Sequence, residues 1–393
     1  MIEVLRRLDA RTRPREIVVF NGPGVSVEAS ALELFRERWQ SSLGVAIRTV
    51  ASDGSDPARA LAAAIDGGLD ALVLNPGRAE LTSALPDALL CAFVGFSYPG
   101  TPAARFDHGP LEDIAGRGLD GYRWAIKYLL SCAEWPLTIC RYGEERDQVG
   151  ELRLPEGPGP HPLIVLIHGG GWKALWRKDI MAPMAVDLAR RGYATWNIEF
   201  RRLGAGGGWP MTFDDVAAAI NSVEELRQRF PLDESRLLLV GHSSGGQLAL
   251  WAAAAEEVRI RAVAVVGLAA LVDLVEGSRR ELIGGENVIA KLLGGTVDEV
   301  PARFAALSPR ALLPLGTRQT LVQGLSDYIH DLIDQNRAYA REAAGLGDQV
   351  SLVEIDGAEH LDLIEPSSAG WPLVAAQIEQ SLAGAGGAQQ GRV

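Results

Sequence analysis

The chain has 393 residues, 47% of them hydrophobic and 22% charged, which leaves room for two or three domains of ordinary size and excludes a mostly disordered polymer. No apolar run reaches the roughly 18 residues that a membrane span requires. Thirty-eight Lys and Arg against 50 Asp and Glu give a net charge of −12, which argues against a surface for nucleic acid and fits an acidic, cytoplasmic protein.

The N-terminal residues carry charges where a signal peptide would have its apolar segment. From residue 16 onward, short β-branched runs alternate with longer helical patterns, the rhythm of βα units on a parallel sheet. The first set places strands at 16–20, 45–50, 70–74 and 90–94, helices near 28–42, 56–67 and 80–88, and a closing helix at about 117–132. A domain boundary is expected near residue 134, giving domains of 1–134 and 135–393. The second set opens with strands at 137–140 and 150–154, whose charged connection Glu144-Glu-Arg-Asp reads as a hairpin. Further strands follow at 163–167, 193–198, 236–240, 261–266, 319–323 and 350–355, with helices between them and a last helix at about 368–384. The fold class expected is α/β in both parts. The three cysteines, Cys91, Cys132 and Cys140, have neither disulfide nor metal-ligand spacing, so a reducing compartment, no metal and no cofactor are expected. Of the 44 glycines, those in the tail after Ala383 read as low-complexity filler.

The chemistry concentrates in the second set. Gly241-His-Ser-Ser-Gly245 lies between the apolar strand ending at Val240 and the strong helix former Gln247-Leu-Ala-Leu-Trp. Ser243 therefore sits on a strand-to-helix turn, where flanking glycines let strand and helix approach. Upstream, the strand Leu163-Ile-Val-Leu-Ile runs into His168-Gly-Gly-Gly-Trp172, whose consecutive glycines expose backbone N–H groups to a developing negative charge. A phosphate-cradling glycine loop is the competing reading, but its Gly-Lys-Ser/Thr ending is absent. Together the two motifs resemble the α/β-hydrolase esterases with an HGGG loop, of the carboxylesterase and arylformamidase type. That resemblance implies an oxyanion hole from the N–H groups of Gly170, Gly171 and Ser244, and an acid and a histidine that follow Ser243 in chain order.

There are six histidines. His360 follows the strand at 351–355, and Asp327, in Gln323-Gly-Leu-Ser-Asp, follows the strand at 319–323 and resembles the family's acid turn. Both fall at the carboxyl ends of neighbouring strands, where α/β sheets place their sites. The rival acids Asp331 and Asp334 fall on the following helix, and Asp356 and Asp362 stand too close to His360 in sequence to orient it. His330 reads as a helix-start surface residue, His161 as solvated, His168 as a support of the glycine loop, and His242 as pointing away along the turn. Residues 268–312 are expected to form a cap whose Leu271, Val272, Leu274, Val275, Leu292, Leu293 and Phe304 either receive an apolar acyl or aryl group or simply pack. Trp172 and Trp209 are candidate substrate-pocket walls, with core packing as the alternative. The resemblance implies a serine hydrolase for a small-molecule ester, aryl-amide or thioester, with an acyltransferase or cyclase as the alternative and a non-catalytic binding protein as a third reading.

In the first set, Asn21-Gly-Pro after one strand, Asn75-Pro after the third, and Gly118-Leu-Asp-Gly-Tyr-Arg-Trp in the closing helix resemble type II 3-dehydroquinate dehydratase, a flavodoxin-like fold. On that alignment Asn21 and Asn75 keep the family's binding asparagines. The lid at 24–35 lacks its arginine and tyrosine, and Phe93 and Gly95 stand where its glutamate and histidine would be. A dehydratase without base or acid has no route to chemistry, so the domain reads as degenerate, a scaffold or a vestigial sensor, with a homo-oligomer implied by the fold family. No nucleic acid and no membrane are expected as partners.

Overall fold

The computed structural model describes residues 2–9, 13–22, 29–51, 57–66, 71–75, 90–93, 112–114, 116–282 and 287–383. The chain divides into two compact units, one of Leu8–Pro136 and one that joins Met1–Arg7 to Leu137–Val393. In chain order the strands are β1 (Glu3–Leu8), β2 (Glu16–Asn21), β3 (Ala46–Ala51), β4 (Ala71–Asn75), β5 (Leu90–Phe93), β6 (Glu112–Asp113), β7 (Leu137–Arg141), β8 (Val149–Arg153), β9 (His161–Ile167), β10 (Ala194–Ile198), β11 (Leu232–His242), β12 (Ala264–Leu268), β13 (Arg318–Gly324) and β14 (Val350–Ile355). The helices are α1 (Ala29–Leu43), α2 (Pro57–Asp66), α3 (Gly118–Glu134), α4 (Ala182–Arg190), α5 (Met211–Asn221), α6 (Val223–Leu226), α7 (Ser244–Ala254), α8 (Leu274–Arg279), α9 (Val288–Leu293), α10 (Pro301–Leu307), α11 (Asp331–Gly345) and α12 (Trp371–Ala383). The helix expected at 80–88 lies outside the described residues.

The smaller unit is a parallel sheet in the order β3-β2-β4-β5-β6. Its β2 reads as an unbroken apolar run because both faces are covered: Ile17, Val18, Val19 and Phe20 are all fully buried. Val18, Phe20, Leu72 and Cys91 form one core with Leu61 and Ala64 of α2. Helices α1 and α3 meet through Phe35 and Tyr122, ring edge to ring at 5.7 Å. Asn21 and Asn75 are register partners at the carboxyl ends of β2 and β4. The Asn21 side chain is buried and its Oδ1 accepts the Tyr122 hydroxyl at 2.6 Å.

The larger unit is a nine-stranded sheet in the order β1-β7-β8-β10-β9-β11-β12-β13-β14. β7 and β8 pair antiparallel, as the charged connection between them predicts, and β8 pairs antiparallel with β10. From β10 to β14 every pairing is parallel. The central β9 and β11 carry fully buried Leu163–Ile167 and Leu237–Val240, each such side chain contributing about 1.5–3 kcal/mol by leaving water. The carboxyl ends of β9, β11, β13 and β14 thus emerge on one edge, the edge on which a parallel sheet presents its loops. Two expectations need correction. β1, unforeseen, adds an outer strand to this sheet, and His161 is not solvated: β9 starts at it, and it is only 8% exposed, with its N–H on the Pro231 carbonyl. Among the described residues no helix is long and apolar enough to cross a membrane.

Candidate active site

β11 ends at His242 and α7 begins at Ser244, so the turn consists of Ser243 alone, held at φ 55° and ψ −119°. A side chain at positive φ is strained unless its surroundings fix it. Here the Ser243 N–H donates to the Leu268 carbonyl at 2.8 Å, and its carbonyl accepts from Gly246 (3.0 Å), Gln247 (3.2 Å) and Leu271 (3.3 Å). A Cβ on Gly241 would stand 2.1 Å from the Gly245 carbonyl oxygen, and one on Gly245 would stand 2.2 Å from that of Ile167. The two glycines are therefore a steric requirement of crossing strand, turn and helix so closely. The N–H groups of Ser244 and Gly245 open α7 directly after Ser243, at the helix end that favours negative charge.

After β13 and β14, two loops interlock. Leu325 and Ser326 donate their N–H groups to the carbonyls of Ile355 and Ala358, both at 3.0 Å, and Gly324 is needed because a Cβ there would lie 2.3 Å from the Ala358 oxygen. This brings Asp327 against His360: Nδ1 of the imidazole is 2.7 Å from Oδ2 of the carboxylate. Asp327 is fully buried, and it also accepts from the Ile329 N–H at 2.8 Å and from the Gln323 amide at 3.1 Å. Burial pulls its pKa upward, but the His360 hydrogen bond and charge with those two donors outweigh it, and the carboxyl is held below its usual range. An ionised acid at Nδ1 leaves His360 Nε2 as the ring nitrogen able to take a proton.

The glycine loop follows β9. Gly170 (φ 114°) and Gly171 (φ 61°) are both in backbone conformations that glycine favours, and a Cβ on Gly170 would collide with Trp176 at 2.2 Å. A Cβ on Gly169 would come within 3.0 Å of Ser243 Cβ, so the loop lies directly against the turn. The Gly171 N–H donates to Ser244 Oγ at 2.9 Å. His168, as expected, supports the loop from beneath: its ring contacts the Gly169 carbonyl (2.8 Å) and the Glu199 carboxylate (3.1 Å), and stacks on Phe200. Glu199 in turn takes the Lys178 N–H and the Arg202 guanidinium.

The structure therefore brings Asp327 and His360 into contact and sets the 168–171 loop on Ser243. The other candidates fall elsewhere. Asp331 pairs with Arg280 at the surface, Asp334 lies on α11, and His330 is exposed at its start. Asp362 caps the short helix that begins at His360, accepting the Glu359 N–H. Trp172 is 1% exposed, with its indole N–H on Gln247 Oε1 at 3.2 Å. Trp209 is 40% exposed and carries the Arg303 guanidinium 3.8 Å above its ring. Within 268–312, the segment expected to form a cap, Leu271, Val272, Leu274, Leu292, Leu293 and Phe304 are all buried. His242 corrects an expectation: it does not point away, because its ring lies 4.6 Å from that of His360 and its Nε2 is 3.0 Å from the His360 carbonyl, to which it donates. Burial and the nearby His360 push the His242 pKa down to about 3. Tyr328, which carries no motif signal in the sequence, is 64% exposed and meets the His360 ring edge-on at 5.2 Å.

Residues 152–329 match the family model described as BD-FAE. Among solved structures, the chain is similar to a truncated carbohydrate esterase from gut microbiota (20% identity, TM-score 0.53, covering 61% of this chain and 94% of that one). It is similar also to the propionate-bound thermophilic esterase Est2 of the planctomycete Thermogutta terrifontis (19% identity, TM-score 0.52, 62% and 92%). A third is esterase B of Lactobacillus rhamnosis inhibited by a tributyrin phosphonate (16% identity, TM-score 0.55, 63% and 85%). Among curated proteins, 115 residues (26% of the chain) are 28% identical to methylphloroacetophenone synthase of Cladonia uncialis. Another match, of 98 residues (23% of the chain), is 34% identical to the non-reducing polyketide synthase pkbA of Emericella nidulans. Each of these two matches spans 4% of the length of the synthase concerned. The sheet order, the loop geometry and the solved structures agree on an α/β fold like that of these esterases for the C-terminal unit, within which residues 152–329 match the BD-FAE model.

Proposed function

We propose that the C-terminal unit, residues 135–393 with the outer strand β1, cleaves a carboxylic ester, aryl-amide or thioester of a small molecule through an acyl-enzyme on Ser243. The observation that carries this reading is the 2.7 Å contact of His360 Nδ1 with buried Asp327, at the carboxyl edge where Ser243 is held at φ 55°. In the reaction Ser243 Oγ attacks the carbonyl carbon while His360 Nε2 takes the hydroxyl proton, and the carbonyl π pair moves onto oxygen. Asp327 stabilises the imidazolium and holds its tautomer. The oxyanion is met by donors of the 170–171 loop and of Ser244. Collapse expels the alkoxide, amine or thiolate, which takes the proton from His360, and a water deprotonated by His360 repeats the sequence to free the acid.

Ser243→Ala should abolish turnover of p-nitrophenyl acetate without changing the circular dichroism spectrum, and the intact mass of the wild-type chain mixed with a slow ester should rise by one acyl group. Full turnover by Ser243→Ala would sink the proposal. A second reading, acyl transfer or cyclisation by the same residues, draws support from the partial similarity to two proteins named as synthases. Product analysis with and without an added amine or alcohol separates it from hydrolysis.

For the smaller unit we propose a degenerate relative of type II 3-dehydroquinate dehydratase, used for assembly or for shaping the hydrolase. What supports this is the pairing of Asn21 and Asn75 at adjacent strand ends, together with Phe93 in the place of a catalytic glutamate. The full-length chain should then fail to dehydrate 3-dehydroquinate, as read by absorbance of the conjugated product; turnover would overturn the assignment.

A further inference from the structure

The side chain of Ser244, the residue after Ser243, is engaged by the glycine loop. Ser244 Oγ accepts the Gly171 N–H at 2.9 Å, so that N–H, expected to face the substrate oxygen, is directed at a hydroxyl. Ser244 is 2% exposed. A serine hydroxyl holds one proton and two lone pairs. With a lone pair taken by Gly171, its proton remains to be donated, and among the described residues no acceptor takes it. The hydroxyl stands where the glycine loop meets the elbow, one residue from Ser243 and beside the loop whose Gly169 would touch Ser243 Cβ if it carried a side chain.

We infer that the Ser244 hydroxyl is a direct oxyanion donor, completing a chain from Gly171 N–H through Ser244 O–H to the substrate oxygen. The inference rests on Ser243 being the nucleophile. As Ser243 Oγ bonds to the carbonyl carbon, the oxygen gains the π pair and accepts hydrogen bonds from the Ser244 O–H, the Ser244 N–H and the Gly170 N–H. No proton passes from Ser244; the only proton transferred is the one from Ser243 to His360. An O–H to O⁻ contact is short and charge-assisted, and an N–H donating into the hydroxyl polarises it further. The hydroxyl gains most when the oxygen is an anion, so it acts on kcat rather than on ground-state binding.

The test uses the full-length chain with p-nitrophenyl acetate and a trifluoromethyl ketone that forms a hemiketal oxyanion on the nucleophile. Ser244→Ala should lower kcat about 10²-fold, the usual effect of losing one oxyanion donor, with KM changed less than about threefold. The inhibition constant of the ketone should rise in the same proportion as kcat falls. Ser244→Gly, which removes the hydroxyl and adds nothing to pack, should show the same loss with the melting temperature monitored in both variants. If either variant keeps kcat within threefold of wild type, or exceeds it, Gly171 N–H is the direct donor and the inference is overturned. Ser243→Ala, run alongside, distinguishes the two levels: turnover there would remove the nucleophile itself, whereas a dead Ser243→Ala with an active Ser244→Ala removes only the hydroxyl's role.

Discussion

Asp327 gathers its donors before any substrate arrives. His360 Nδ1, the Ile329 N–H and the Gln323 amide all point at it, and Gln323 is itself fixed by Asn336, whose amide reaches Gln323 Oε1 at 3.2 Å. A buried carboxylate satisfied in this way stays ionised and holds the imidazole in one tautomer. Asp327→Asn changes few atoms but offers an amide N–H or a neutral carbonyl where Nδ1–H needs an anion. The expected outcome is a loss of kcat of about 10³–10⁴-fold with little change in KM, measured on p-nitrophenyl acetate. Asp331→Asn, a change in an exposed pair with Arg280, should stay within about twofold of wild type. Comparable losses at both positions would mean that the acid has been misassigned.

At the level of elements, the four parts around Ser243 were legible because each has a local signature: an apolar strand, a glycine cluster, a helix former, a histidine or aspartate just past a strand. Gly241 and Gly245 could be read because no other residue fits the crossing at 2.1–2.2 Å. The direction of His242 was not legible, because it depends on the loop from β14, more than a hundred residues away, arriving with a carbonyl at 3.0 Å from its Nε2. For the same reason the engagement of Gly171 by Ser244 could not be foreseen: both motifs were recognised, but not the bond between them. His242 also couples the elbow to pH. Its pKa is about 3 in the fold and about 6.5 in an unfolded chain, so below pH 6.5 the unfolded state takes up a proton that the folded state refuses. Stability from His242 is then complete above pH 6.5 and is lost as pH falls toward 3, at up to about 1.4 kcal/mol per pH unit. Asp327, with its lowered pKa, loses its contribution only further down, below its ordinary range. His242→Asn should therefore flatten the fall of stability between pH 6.5 and 4.5 by about that slope, as read from denaturant unfolding at several pH values; an unchanged slope would show that the imidazole is free to charge within the fold.

For the whole molecule, the informative element is β1, which the sequence hides. Glu3-Val-Leu-Arg-Arg-Leu reads as a charged N-terminal tail, and its burial alternates between exposed and half-buried as far as Leu8, the pattern of an outer strand with one face in water. Only the structure reveals that β1 is hydrogen-bonded beside β7, so that the chain contributes its first residues to the larger sheet, builds the smaller unit, and then returns to the sheet at Leu137. Ile2 is 2% exposed and its N–H is held by Glu225, while the Glu3–Arg141 ion pair at 3.8 Å is largely solvated and contributes little. A fragment of residues 137–393 alone would leave β7 as a bare edge, open to pairing with another copy, and would lose about 1.5–3 kcal/mol from Ile2. At about 2–4 °C per kcal/mol for a unit of this size, its melting temperature should drop by roughly 3–12 °C relative to the full chain, with association visible by light scattering at micromolar concentration. Placing residues 1–7 before Leu137 on a flexible linker should recover most of that loss. If the fragment instead melts with the full chain and stays monodisperse, β1 contributes nothing to the sheet, and residues 1–7 serve only as the lead into the smaller unit.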